Sequence, residues 1–122
     1  MKISKNYQDK VRPISINIKD VTLNALLHIP EECRGLVIFV HGSGSSRLSP
    51  RNQFVAGYLS EKGFATLLFD LLTPNEESID TITGEYRFNI QLLAERLMQV
   101  TAWVEKQDNL KEIGRASCRE RV

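Results

Sequence analysis

Two segments, Leu36-Val37-Ile38-Phe39-Val40 and Ala65-Thr66-Leu67-Leu68-Phe69, are strand-length and almost free of polar interruption. A strand that alternates apolar and polar side chains can show one face to water, whereas a continuously apolar one must be covered on both faces. That requirement points to interior strands of a mostly parallel sheet with helices on either side. At 122 residues the chain has one domain's worth of length, since domains commonly run to roughly 100–150 residues. No apolar stretch approaches the roughly 20 residues that span a bilayer, and Met1–Asn6 lacks the apolar core of a secretory signal.

The segments around these strands predict the rest. Val11, Ile14, Ile16 and Ile18, then Val21, Leu23, Ala25, Leu27 and Ile29, alternate with polar residues around Lys19-Asp20, the pattern of an antiparallel hairpin. Pro30 ends its second strand. Ser49 followed by Pro50 predicts a helix start, and Gly63 its end. Leu71 to Gly84, with Pro74, Glu76, Glu77 and Asp80, reads as a loop. From Tyr86 onward, apolar residues at three- and four-residue spacing predict a helix of about five turns. His28 is expected to be exposed, and Tyr86, Phe88 and Trp103 to make core or cap contacts.

Ligands of open α/β sheets gather at the carboxyl ends of the strands. The sequence leaving the first buried strand is His41-Gly42-Ser43-Gly44-Ser45-Ser46. Backbone N–H groups of such a turn, entering a capped helix, can stabilise an oxyanion or hold a phosphate. The turn lacks the Gly-Lys-Ser/Thr ending of a phosphate-binding loop. Arg47 stands where a dinucleotide fingerprint needs its third glycine. Arg47 and Arg51 are candidates to hold a substrate carboxylate; a solvated basic pair, or partners for Glu76, Glu77 or Glu85, is the competing reading. Asp70 closes the second buried strand at the same edge, where it can touch substrate or accept from a loop N–H.

The run from Gly35 to Asn52, reading GLVIFVHGSGSSRLSPRN, resembles the first half of a bacterial dienelactone hydrolase-like α/β-hydrolase. Leu67 to Thr73, Arg87-Phe88-Asn89-Ile90 and Leu92 to Leu97 match in the same order, so the resemblance covers nearly everything from Val11 to Trp103. It implies an incomplete α/β-hydrolase fold: an N-terminal antiparallel hairpin, then two parallel strands each followed by a helix. It also implies a parent that hydrolyses a small carboxylic ester or lactone through a Ser or Cys nucleophile, His and an acid, with no metal or organic cofactor. The backbone N–H of Ser43 is the expected oxyanion-hole donor, with Gly42 and Gly44 shaping the turn and His41 bonding backbone to hold it. No Gly-x-Ser/Cys-x-Gly nucleophile turn occurs in the sequence, so the triad is expected to be absent and the chain inactive. Competing readings are a non-catalytic α/β module that binds an anion, and the hydrolase-like part of a larger protein fused to a phosphoribosyltransferase-like domain.

Sixteen Lys and Arg against fifteen Asp and Glu leave a formal charge of +1, which offers nucleic acid or an anionic membrane surface no field. Cys33 and Cys118 form no Cys-x-x-Cys pair, so a disulfide scaffold or zinc site is not expected, and a reducing cytoplasm is. The residues from Ile113 to Val122 match the translation ATC GGA AGA GCG TCG TGT AGG GAA AGA GTG of a common sequencing-adapter strand, whose next codon is a stop. Residues 1–111 are therefore expected to be the N-terminal part of an α/β-hydrolase domain, and 112–122 an adapter-derived tail. Without that tail thirteen charges of each sign remain and Cys33 is the one native cysteine. A chain cut there is expected to expose an apolar strand edge and to be marginally stable or insoluble. The coding DNA checks the tail: the codons above are expected, and different synonymous codons would overturn the assignment.

Overall fold

The computed structural model describes residues 2–19, 21–40, 47–107 and 120–121. The elements run α1 (Lys5–Lys10), β1 (Arg12–Ile18), β2 (Val21–His28), β3 (Gly35–Phe39), α2 (Pro50–Glu61), β4 (Phe64–Phe69), α3 (Pro74–Thr83), α4 (Ile90–Glu105) and β5 (Glu120–Arg121). The sheet order is β1-β2-β4-β3-β5. β1 and β2 form the expected antiparallel hairpin, with Arg12 opposite Leu27 and Ile18 opposite Val21. β3 and β4 are parallel, from Gly35 beside Phe64 to Phe39 beside Leu68. β2 joins the halves by pairing antiparallel with β4 from Ala25–Phe69 to His28–Thr66. The α/β reading of the sequence holds at this level.

Both interior strands are buried along almost their whole length, as their unbroken apolar character requires. One face carries Ile16, Leu23, Ala25, Leu27, Leu36, Ile38, Ala65, Leu67 and Phe69, which pack with Val100 and Val104 of α4. Leu26, Val37, Phe39 and Leu68 point the other way, toward Tyr7 of α1 and Ala56 of α2. Helices thus lie on both faces of one mixed sheet. α1 approaches α2 at Gly57, where a Cβ would come within 3.1 Å of the Ser4 Cβ.

The helix ends follow local chemistry. Ser49 caps α2 with Pro50 in its first turn, and Gly63 beyond it takes a φ of 92° that a side chain would strain. Leu71–Gly84 is not a loop as its polar composition suggested. Thr73 accepts from the Glu76 N–H while Glu76 reaches back to the Thr73 N–H, a capping box that starts α3, and Gly84 stops it in the left-handed conformation. The following helix begins at Ile90, capped by Asn89, rather than at Tyr86. β4 is therefore followed first by α3 and only then by the long apolar-striped helix.

Three further expectations change. His28 is 3% exposed, because β2 is covered on its second face by α1 and α2. Phe88 makes no core contact and is 80% exposed, while Trp103 packs partly buried against the core. The edge of β3 is not bare: the backbone of Glu120–Arg121 lies parallel to Val37 and Ile38. The remainder of the proposed 112–122 tail, with Cys118, lies outside the described residues. Among the described residues no helix is long and apolar enough to cross a membrane.

Leu67 is fully buried, so Leu67→Ala is expected to destabilise the chain by about 2–5 kcal/mol. Phe88→Ala is expected to change stability by less than about 0.5 kcal/mol. Urea unfolding followed by circular dichroism measures both, and a large loss at Phe88 would contradict its exposed placement.

Candidate functional site

Because β3 and β4 are parallel neighbours, their carboxyl ends open onto the same sheet edge. The chain leaves β3 through Val40 and re-enters described structure at Arg47; His41, Gly42, Ser43, Gly44, Ser45 and Ser46 lie outside the described residues. What is visible is how the downstream end of that turn is fastened. Asp70, next after β4, accepts the Arg47 backbone N–H at 2.7 Å through Oδ1, while Oδ2 meets the Arg47 guanidinium. Its own N–H donates to the Asn24 carbonyl of β2 at 3.0 Å. One carboxylate therefore ties the end of the glycine-rich turn to the mouth of the sheet. Charge-assisted bonds of this kind are stronger and shorter than neutral ones.

The candidate residues are thus placed as follows. Asp70 fills the loop-binding role, and Arg47 is its partner, so the Arg47 guanidinium faces an internal carboxylate at this edge. Arg51 is exposed in the first turn of α2. Neither is paired with Glu76, which belongs to a different cluster.

A second cluster lies on α3 and α4. Arg96 of α4, 6% exposed, donates to both carboxylate oxygens of Glu76, the Nη2–Oε2 bond being 2.6 Å, and to the Leu71 carbonyl at 2.9 Å. The forked guanidinium thereby pins the strand-to-helix connection after β4 onto α4. Hydrogen bonding from Arg96 holds the Glu76 carboxyl below its ordinary range; burial opposes this, and the Thr73 N–H adds to it. Asp80 closes the α3–α4 connection by accepting from the N–H groups of Tyr86 at 2.8 Å and Arg87 at 2.9 Å, and from Arg87 Nε at 3.1 Å. Burial pushes the Asp80 carboxyl upward, but the two backbone donors and the guanidinium outweigh it and the net direction is down. The sequence does contain one signal for this cluster, the Thr-x-x-Glu spacing of Thr73 and Glu76. The partnership with Arg96, 20 residues further on, has no local signature.

The chemistry available is that of a rigid frame. Asp70 fastens Arg47 beside the end of β4, and Arg96 fastens the connection that follows β4. Among the described residues, no three His, Cys, Asp or Glu side chains gather as a metal site.

Comparison with known proteins adds to this geometry. No family model matches the chain. The crystal structure of a dienelactone hydrolase from Anabaena variabilis superposes with a TM-score of 0.84 at 42% identity, covering 92% of this chain and 50% of that one. Proteins from two strains of Mycobacterium tuberculosis, provisionally named phosphoribosyl transferases, are 56% identical over 81 residues, 66% of this chain and 17% of theirs. The chain thus has a dienelactone hydrolase-like α/β fold. It spans half the length of the solved neighbour and under a fifth of the curated relatives it matches.

Asp70→Ala leaves the Arg47 N–H and guanidinium without their acceptor and is expected to cost about 1–3 kcal/mol in urea unfolding. Asp70→Asn, which keeps one acceptor oxygen, is expected to lose less. The lowered carboxyls of Glu76 and Asp80 predict stability that is complete above their ordinary pKa values of 4.5 and 3.8 and is lost as pH falls through the lowered ones. An acid-unfolding series with Glu76→Gln checks this, the variant losing the part of the slope that Glu76 supplies.

Proposed function

We propose that this chain is the oxyanion-binding half of a hydrolase that cleaves a small carboxylic ester or lactone. The observation that carries the reading is the superposition on a dienelactone hydrolase at 42% identity over 92% of the chain, with the sequence His41–Ser46 lying between the buried strand β3 and the capped helix α2. In this reading the Ser43 N–H donates to the oxyanion as the carbonyl becomes tetrahedral. Gly42 and Gly44 permit the turn, and Asp70 holds its downstream end through Arg47. A backbone donor already in place needs no reorganisation at the moment charge develops. Of the two arginines at this end of α2, Arg47 is engaged by Asp70 and Arg51, exposed in the first turn, is available to a substrate carboxylate. The nucleophile, its histidine and the orienting acid belong to polypeptide that this sequence does not contain. Cysteine usage supports a cytoplasmic setting, and the substrate is a small molecule rather than nucleic acid or a membrane.

The test uses the uninterrupted reading frame that carries this segment, assayed on short-chain aryl esters and on lactones. Hydrolysis is expected from that longer protein and none from the 122-residue chain. Ser43→Pro, which deletes the N–H, is expected to lower kcat by about 10²–10³, whereas Ser43→Ala keeps the N–H and is expected to retain activity. A frame without a nucleophile turn and a later histidine, or equal losses in the two Ser43 variants, would overturn the reading.

A further inference from the structure

On the sheet face away from α4, a polar group is buried that the hydrolase reading does not use. His28, at the end of β2, is 3% exposed, and its Nδ1 lies 2.6 Å from Oγ of Ser60, itself 6% exposed, on α2. The Tyr7 ring of α1 lies against the imidazole, centroids 5.6 Å apart and planes tilted by 54°. Thr66 of β4 is the cross-strand neighbour of His28. Among the described residues, the buried hydroxyls of Tyr7 and Thr66 have no hydrogen-bond partner. The imidazole thus touches Tyr7 of α1 and the Ser60 hydroxyl of α2, has Thr66 of β4 as its cross-strand neighbour, and feels the charge of Lys10 at the end of α1.

α1 has little else to hold it. Its six residues are too few for a helix stable by itself. What seats it is the 1%-exposed Tyr7 side chain and the close approach of Ser4 to Gly57. We propose that His28 is an acid-sensitive latch for α1: neutral, it bonds Ser60 and supports the Tyr7 ring; protonated, it undoes that seat and frees α1 while the sheet stays folded. The charge that acts on the buried imidazole is the like-signed Lys10. The Tyr7 ring face offers a cation some attraction, but this is small beside the penalty for an unpaired charge at such burial. Burial first, and Lys10 second, hold His28 below its ordinary 6.5. The unfolded seat therefore binds the proton more readily than the closed one, so closure is complete above pH 6.5 and weakens as pH falls below it. Glu76 and Asp80 titrate below 4.5 and 3.8 and leave this window to the histidine.

Backbone hydrogen exchange of the 122-residue chain between pH 7 and pH 5, corrected for the intrinsic rate, reads the latch directly. Amides of α1 through Val11 are expected to lose protection by up to about thirty-fold, the limit for one group 1.5 units below its free value, while β4 amides keep theirs. His28→Gln retains an acceptor for Ser60 without titrating and is expected to flatten the α1 response. Unchanged α1 protection, parallel loss in β4, or the same response in His28→Gln would overturn the proposal. Where His28→Gln does not fold, ring NMR of the parent and of Lys10→Gln decides. A His28 midpoint below 6.5 that rises in Lys10→Gln supports the latch, and a parent midpoint at or above 6.5 refutes it.

Discussion

Two adjacent strands with no polar face impose the arrangement on which the rest depends. β3 and β4 can be satisfied only in the middle of a sheet with layers on both sides, and their side chains divide accordingly between the α4 face and the α1/α2 face. The parallel pairing sends the chain across the sheet through α2, so both carboxyl ends share one edge. Arg47 and the Asp70 that anchors it sit there because of that pairing. Their local sequences only refine the position.

Much of this was legible where the signal is local. Hairpin alternation, unbroken apolar runs and the Ser49-Pro50 start each depend on residues a few positions apart, and each reappears in the fold. Polar composition hides α3, where the Thr73/Glu76 capping signature carries more physical information than hydropathy. The burial of His28 is hidden for a different reason. Alternation along β2 assigns one face to the core but says nothing of what covers the other, and α1 does so through Tyr7.

The site divides in the same way. The turn's glycines and its position after a buried strand are sequence features, and so is an acidic residue ending the next strand. That Asp70 clasps Arg47 across 23 residues, and that Arg96 reaches Glu76 across 20, depends on how elements stack. The two clamps divide the labour. Asp70 holds Arg47, and Arg96 holds the segment emerging from β4, so each connection has its own charged fastening. Both use arginine, and in Arg96 the planar fork lets one side chain join Leu71 and Glu76 at once.

The order of strands in the sheet differs from their order in the chain, and this bears on how the protein is made. β2 lies beside β4, not beside β3, so β3 leaves the ribosome before its parallel partner β4 and before α2 and α4, which help cover its two faces, exist. The β1–β2 hairpin can close from local contacts alone. β4 then completes two seams in one event, the antiparallel one with β2 and the parallel one with β3. Until it arrives, Leu36–Phe39 is an apolar segment without a neighbour, a natural target for a chaperone during synthesis.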